Sequence, residues 1–337
     1  MKLLRNVNKS FSQRKQVENQ GQFWKTCQSK IMDYSKEEYN AALEEWSEVQ
    51  EIIPTFSKGE QEHEESIFKE TPLIPVDLFI EDFRNSIDLD QEINEDESDQ
   101  RPILVQAVQV ISWLKCCTQS RLNPALEEEK KLVFAISKRS FNDDNPMHFQ
   151  VLLTLYKLLT GSKIDCPRYG SHWEQIGFQG NDPATDLRGV GCLGLLQPLY
   201  LVMTPELLPL AKDIYKLSLS ENQNFPLMVL SINVSRIALH ALRDGVLNRQ
   251  SHLENSVWSA LNFFYVAILF HIYTVWKNEY KSIKDSGYVL KDAEKFCRKN
   301  VRLAIQNLNN HLISAYSIHE KQLARENIQS RQVKTEL

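Results

Sequence analysis

One glycine-rich segment dominates the reading of this sequence: His172-Trp-Glu-Gln-Ile-Gly-Phe-Gln-Gly-Asn-Asp-Pro-Ala-Thr-Asp-Leu-Arg-Gly-Val-Gly-Cys-Leu-Gly-Leu-Leu196. It holds five of the eleven glycines in the 337-residue chain: Gly177, Gly180, Gly189, Gly191 and Gly194. Glycine serves where the backbone needs a positive φ or approaches another group closely. One arginine, Arg188, stands directly before Gly189. The pattern predicts a shaped loop that presents a single cation.

The glycines do not indicate a nucleotide-binding site, although Gly189-Val-Gly-Cys-Leu-Gly194 matches the G-x-G-x-x-G pattern letter for letter. That fingerprint requires a preceding β-strand within a βαβ unit. Here the preceding residues, Asp182-Pro-Ala-Thr-Asp-Leu-Arg188, are typical of a turn. We therefore exclude dinucleotide binding and expect no cofactor.

The residues around Arg188 leave two interpretations open. In one, Arg188 forms an ion pair with Asp182 or Asp186 and only stiffens the loop. In the other, the loop presents Arg188 to a partner. Asp182-Pro183 favours a turn, and Thr185 or Asp186 is suited to cap a helix that begins near Arg188.

The flanking sequence predicts an all-α domain. Amphipathic spacing indicates a helix from Ile103 to Leu114, and three Asn-Pro or Thr-Pro pairs are typical of capped helix starts: Asn123-Pro124, Asn145-Pro146 and Thr204-Pro205. The helix after Asn145 is expected to end at Gly161. Further helices are predicted at 205–219, 225–243, 253–281, 289–300 and 302–322.

Residues 257–276 form an apolar run long enough to cross a membrane. A helix that is apolar all round is also what the centre of a large helical domain needs. Asn262 and His271 interrupt the run, so we favour a buried core helix and expect no transmembrane span. His271 is then interpreted as a core histidine.

Charged residues are unevenly distributed over the first 100 residues of the chain. Residues 1–30 carry seven Lys/Arg and one acid, whereas residues 60–99 carry fifteen acids and two basic residues. We predict a partly disordered extension over 1–100, with a basic arm, a helix near 36–53, the acidic stretch 60–99 and a short apolar patch at Leu73–Phe83. A single helical domain is predicted over 101–322, followed by a flexible tail at 323–337.

Composition narrows the function. A net charge of −5 and a pI near 6.0 argue against nucleic acid as a partner. The six cysteines show no metal-ligand spacing, and no nucleophile or metalloprotease motif occurs, so we expect no metal and no hydrolytic site within the chain itself. Met1-Lys-Leu-Leu-Arg5 lacks the apolar run of a signal peptide, and we expect a cytoplasmic protein.

The motif Trp173-x-x-Ile-Gly-Phe-Gln-Gly-x-Asp-Pro-x-Thr-Asp-x-Arg-Gly-x-Gly191 resembles the signature of the ELMO domain family. The likeness continues through Leu193-Gly-Leu-Leu196, Phe225-Pro226, Asn233 and Asp285-Ser-Gly-Tyr288, over roughly 120–320. The long engulfment-and-motility scaffolds of this family add further domains, for which this chain has no room. It is similar to the short branch, whose members are GTPase-activating proteins for Arl and Arf small GTPases.

The resemblance implies a function and a set of site residues. It implies that Arg188 is the arginine that acts on the GTPase, in a chain that activates an enzyme without being one. By the same resemblance, the motif residues expected to bind the GTPase are Trp173, Gly177, Phe178, Gln179, Gly180, Asp182, Pro183, Thr185, Asp186, Gly189 and Gly191. The alternative is a non-catalytic GTPase effector or scaffold linked to actin or membrane traffic, with cytoskeletal or membrane association.

Overall fold

A computed structural model describes residues 71–86 and 121–315 of the chain. Every regular element in these two ranges is helical, which confirms the predicted all-α class. The helices predicted near 36–53 and at 103–114, the basic arm and the tail at 323–337 lie outside the described residues. The predicted division at residue 100 therefore stays a prediction.

Ten α-helices and three short 3-10 helices occur in the described ranges. The α-helices are α1 (Val76–Ser86), α2 (Pro124–Lys138), α3 (Pro146–Thr160), α4 (Leu193–Met203), α5 (Leu208–Ser218), α6 (Leu227–Arg243), α7 (Asn248–Glu254), α8 (Val257–Asn278), α9 (Ser286–Lys299) and α10 (residues 301–315). The 3-10 helices are Ser171–Ile176, Pro183–Leu187 and Ile283–Asp285.

Two of the three predicted caps are confirmed. The Asn123 side chain accepts a hydrogen bond from the backbone N–H of Leu126 at 2.9 Å, and Asn145 accepts one from Met147 at 2.9 Å. Gly161 ends α3 in the left-handed conformation, with φ of +78°. These signals are local, since each cap needs only a side chain and the first free amides of its own helix.

The predicted cap at Thr204-Pro205 is wrong. The Thr204 hydroxyl donates to the carbonyl of Tyr200 at 2.7 Å, so it belongs to the end of α4. The next helix, α5, begins only at Leu208 and has no side-chain cap at Leu207. Thr204 lies one turn after Tyr200, and the Tyr200 carbonyl accepts hydrogen bonds from both the Thr204 amide, at 3.1 Å, and its hydroxyl.

The helix predicted at 253–281 is two helices. Asn255 adopts the left-handed conformation with φ of +50°, which ends α7 and separates it from α8. Ser256 caps α8, and the Glu129 carboxylate accepts hydrogen bonds from the Ser256 hydroxyl at 3.0 Å and the Val257 amide at 2.7 Å. A carboxylate from α2 thus satisfies the positive end of α8.

Helix α8 is the central helix of the described domain. It contacts α2, α6, α7 and α9. Among the described residues, it is the one helix that by itself is long and apolar enough to cross a membrane. The bent pair α4 and α5 passes that test only if the two are counted together, and they meet at 113°. Within α8, 72% of the most apolar 18-residue stretch is buried inside the domain, which supports the core-helix interpretation.

Helix α1, from the apolar patch of the predicted extension, is docked on the domain. Ile74, Phe79 and Phe83 are buried. The backbone before the helix is also held, because the Ile74 amide donates to the Thr154 hydroxyl at 3.1 Å. The Lys157 ammonium donates to the Thr71 carbonyl at 2.9 Å. Residues 71–86 therefore contribute to the same core as α3.

Candidate functional site

The glycine-rich segment folds as two short 3-10 helices and a turn that leads into α4. The first 3-10 helix, Ser171–Ile176, ends at Gly177, and the second is Pro183–Leu187. Helix α4 begins at Leu193, not near Arg188, and its cap residue Cys192 offers no side-chain hydrogen bond. The predicted helix start near Arg188 is therefore wrong.

Three polar side chains, those of Asp182, Thr185 and Asp186, hold the loop, and no helix begins near Arg188 for Thr185 or Asp186 to cap. The Asp182 carboxylate caps the second 3-10 helix by accepting from the Ala184 amide at 2.9 Å. The Thr185 hydroxyl donates to the Asp182 carbonyl at 2.8 Å. Asp186 accepts a hydrogen bond from the Gln179 amide at 2.7 Å, which ties the Gln179–Gly180 turn to the second 3-10 helix.

Aromatic side chains anchor the segment from below. Trp173 and Phe178 are fully buried and contact each other edge to face, with ring centres 6.3 Å apart. The Trp173 indole N–H donates to the carbonyl of Arg168 at 3.0 Å, so its polar atom is satisfied in the core. A buried ring cannot contact a partner protein, and these two residues act as scaffold.

The glycines of the motif fall into two groups. A Cβ built on Gly177 would lie 2.1 Å from the Leu227 backbone nitrogen, and one on Gly191 would lie 2.4 Å from the Arg139 carbonyl oxygen. Gly180 and Gly189 have φ of +66° and +90°, and a Cβ there would meet nothing within 4 Å. The first pair is required for packing, whereas the second pair shapes an open surface.

Arg188 projects from this surface. Its side chain is exposed, and its neighbours Leu187 and Val190 are buried and fix the backbone on both sides. The Arg188 Nε donates to the Thr185 carbonyl at 3.0 Å. Its two terminal nitrogens make no hydrogen bond to a described residue, and no carboxylate in the described ranges lies within ion-pair distance. The ion pair with Asp182 or Asp186 that one interpretation required is thus not formed with either residue.

The predicted site residues do not form one contact surface. Buried members are Trp173, Gly177, Phe178, Pro183 and Gly191, and half-buried members are Asp182 and Asp186. The exposed members are Gln179, Gly180, Thr185, Arg188 and Gly189, which we call the motif face. The buried members cannot meet a partner without a change of fold, whereas the motif face is open to one.

Arg168 is a residue of the site that the sequence analysis missed. Its Nη1 donates to Asp182 at 2.8 Å and its Nε donates to Asp143 at 2.6 Å. Burial disfavours the charged guanidinium, but the hydrogen bonds to Asp182 and Asp143 outweigh this and raise the pKa of Arg168. The pairing with Asp143 spans 25 residues of sequence, so no local pattern announces it.

The buried thiol of Cys192 lies near a histidine but is not activated as a nucleophile. Cys192 and His148 approach each other, with Sγ and Nδ1 3.9 Å apart. Burial raises the pKa of the Cys192 thiol to about 12 and lowers the pKa of His148, the opposite of an activated thiolate–imidazolium pair. Among the described residues, no group of three or more His, Cys, Asp or Glu side chains is placed to hold a metal ion.

A helical domain built around this motif is an ELMO domain. Residues 131–290 match the family described as ELMO/CED-12, and this domain of the chain belongs to that family. The matched range contains the whole glycine-rich segment, whereas α1 lies before it.

Several curated proteins are similar to the chain. It is 44% identical over 192 residues to ELMO domain-containing protein 3 of Homo sapiens and of Mus musculus, which covers 57% of this chain and 50% of each relative. It is 33% identical over 125 residues to ELMO domain-containing protein 2 of Homo sapiens, covering 37% of this chain and 41% of that protein. The chain thus spans about half the length of the relatives it matches. No solved structure matches it significantly.

Proposed function

We propose that this chain is a GTPase-activating protein for Arl/Arf-type small GTPases and that Arg188 is the arginine it supplies to the GTP site. The observation that carries the proposal is the presentation of Arg188. Its Nε is held by the Thr185 carbonyl at 3.0 Å, while the outer edge of the guanidinium faces solvent on the motif face. A preorganised cation with unengaged donors is what an arginine finger requires.

The chemistry explains why one arginine is enough. Transfer of the γ-phosphoryl group to water builds negative charge on its oxygens, and a protein lowers the barrier by positioning and by charge stabilisation. An arginine supplied in trans accelerates hydrolysis by about 10³–10⁵. This corresponds to roughly 4–7 kcal/mol of barrier. The partner GTPase performs the hydrolysis, and the chain is its activator.

The open glycines support the same proposal. Gly180 and Gly189 lie on either side of the second 3-10 helix and expose bare backbone, since a Cβ at either position would meet nothing. Backbone without side chains permits close approach by a partner. Because Leu187 and Val190 are buried, such a partner would meet Arg188 without reordering the loop.

The test is single-turnover GTP hydrolysis by a panel of purified Arf and Arl proteins, with and without the full chain. We expect one or more of them to be stimulated, and Arg188→Lys to remove at least nine-tenths of the stimulation, because an ammonium lacks the planar fork of the guanidinium. The matched control is Arg302→Lys, an exposed arginine on α10. Absence of stimulation by the wild type, or full stimulation by Arg188→Lys, would contradict the proposal.

The same panel separates the alternative function. A non-catalytic effector or scaffold, linked to actin or membrane traffic, would bind a GTP-loaded GTPase through the motif face without accelerating hydrolysis. Binding would then be measurable by titration with a non-hydrolysable GTP analogue, and the hydrolysis rate would stay at its intrinsic value. We propose a cytoplasmic site of action in either case.

A further inference from the structure

The backbone just before the motif is tied to it by main-chain contacts. The Gly170 amide donates to the Asn181 carbonyl at 3.0 Å, and the Arg168 carbonyl accepts from the buried Trp173 indole at 3.0 Å. Residues 168–170 therefore lie against the entry to the second 3-10 helix. These two hydrogen bonds hold the backbone that carries the Arg168 side chain.

The Arg168 guanidinium is enclosed by two carboxylates and two rings. It bridges Asp143 at 2.6 Å and Asp182 at 2.8 Å. Its central carbon lies 4.4 Å from the centre of the Phe141 ring and 4.5 Å from that of Tyr169. Such a set of contacts leaves the planar group one orientation, because rotation would break a charge-assisted hydrogen bond and a ring contact together.

Fold stability alone does not account for this arrangement. The third nitrogen of the group, Nη2, is buried and has no hydrogen-bond partner among the described residues. A buried donor without a partner is costly, and a bridged buried charge often gives no more stability than an apolar side chain of similar volume. What the arginine adds over an apolar residue is a fixed distance between Asp143 and Asp182.

A series of hydrogen bonds along the loop connects Asp182 to Arg188. The Asp182 carboxylate oxygen that pairs with Arg168 also accepts from the Ala184 amide at 2.9 Å. The Asp182 carbonyl accepts from the Thr185 amide at 3.2 Å and from its hydroxyl at 2.8 Å. The Thr185 carbonyl in turn accepts from the Arg188 Nε at 3.0 Å. One connected series of hydrogen bonds leads from Arg168 to the exposed arginine.

We propose that Arg168 is the positioning residue of the site: by clamping Asp182 it holds the second 3-10 helix and sets the direction in which Arg188 points. The consequence for hydrolysis rests on the proposed function of Arg188. The consequence for the loop does not, because the order of residues 182–191 can be measured without any GTPase.

The test replaces Arg168 by glutamine in the full chain and follows two readouts. The first is amide hydrogen exchange, in which we expect faster exchange over residues 182–191 and unchanged exchange in α8. The second is stimulated single-turnover hydrolysis, in which we expect the maximal rate to fall roughly 10- to 100-fold. The chain concentration for half-maximal stimulation should stay within about twofold, because the motif face keeps its exposed groups.

Arg298 provides a matched control. It also joins two carboxylates, Asp244 and Glu294, but it does so on α9 and has no contact with the motif. Arg298→Gln should leave both readouts at wild-type values. If Arg168→Gln does not fold, Asp143→Asn keeps the guanidinium and its pair with Asp182 while loosening the clamp, and the same local increase in exchange is expected.

The outcomes separate the two proposals. Unchanged exchange over 182–191 in Arg168→Gln, or an increase that extends equally to α8, would overturn the positioning role. A local increase with an unchanged maximal rate would overturn it as well. If no GTPase responds to the wild type, the proposed function fails, and the local increase in exchange still supports the clamp.

Discussion

Replacing Gly177 by alanine tests whether the motif's buried glycines are structural. Gly177 has φ of +88°, and a Cβ would lie 2.1 Å from the Leu227 nitrogen, 2.6 Å from the Pro226 carbonyl carbon and 2.9 Å from the Met228 nitrogen. All three are backbone atoms at the start of α6. The Gly177 carbonyl also accepts from the Val229 amide at 3.0 Å, so the two segments cannot separate without losing that hydrogen bond.

The size of the effect follows from two contributions. A non-glycine residue held at positive φ costs about 1–3 kcal/mol. Forcing a methyl group into a contact that is already closed typically costs about 1–3 kcal/mol more. Gly177→Ala should therefore lower the free energy of unfolding by about 2–6 kcal/mol. This is a large part of the total stability of a domain, which is about 5–15 kcal/mol.

Gly189→Ala is the matched comparison. Its φ is +90°, but a Cβ there meets nothing within 4 Å, so only the backbone contribution of about 1–3 kcal/mol applies. Urea unfolding of the full chain, followed by tryptophan fluorescence, gives both free energies of unfolding. We expect the loss for Gly177→Ala to exceed that for Gly189→Ala by at least about 1 kcal/mol. Equal losses would refute the reasoning, because the close approach to α6 would then have no energetic weight.

Two further predictions concern the docked helix and the histidines. Phe79→Ala, which empties a fully buried ring site on α1, should cost about 3–5 kcal/mol in the same urea experiment, while the exposed Leu78→Ala should cost far less; similar losses for both would show that α1 is not part of the core. Burial lowers the pKa of three histidines, so below the ordinary value of about 6.5 the unfolded chain binds protons that the folded chain does not, and stability falls as the pH drops. The melting temperature should decline from pH 7.5 to 5.5, and it should decline less steeply in His148→Gln than in the wild type. Equal slopes of melting temperature against pH in the two proteins would contradict a contribution from His148. The three residues are His148, His172 and His271.

The sequence predicts the helices best where their signals are local. The caps at Asn123 and Asn145 and the stop at Gly161 each depend on a few neighbouring residues, and all three are confirmed. The break between α7 and α8 was missed because it depends on Asn255 adopting a positive φ and on Glu129 reaching α8 from α2. A continuous apolar pattern gives no sign of a carboxylate that arrives from elsewhere in the fold.

The candidate site likewise has one feature that the local sequence indicates and another that depends on distant residues. The run of glycines around Arg188 correctly indicated a shaped loop with an exposed cation. Its support was not predictable, because Asp143 precedes Arg168 by 25 residues and Asp182 follows it by 14. One of the two interpretations that the sequence left open paired Arg188 with Asp182 or Asp186. In the fold, Arg168 takes the Asp182 carboxylate, and this leaves the outer edge of Arg188 without an acidic partner among the described residues.

The pairing of Asp182 with Arg168 instead of Arg188 bears directly on the proposed function. If Asp182 paired with Arg188, a partner would have to break that ion pair before the guanidinium could approach a phosphate. Because Arg168 occupies the carboxylate from the protein side, Asp182 can cap the 3-10 helix without drawing Arg188 back. The backbone carbonyl of Thr185 then fixes Arg188 through Nε alone, and a neutral acceptor leaves the positive charge uncompensated. The separation of Arg188 from Asp182 therefore depends on a second, half-buried arginine outside the motif, Arg168.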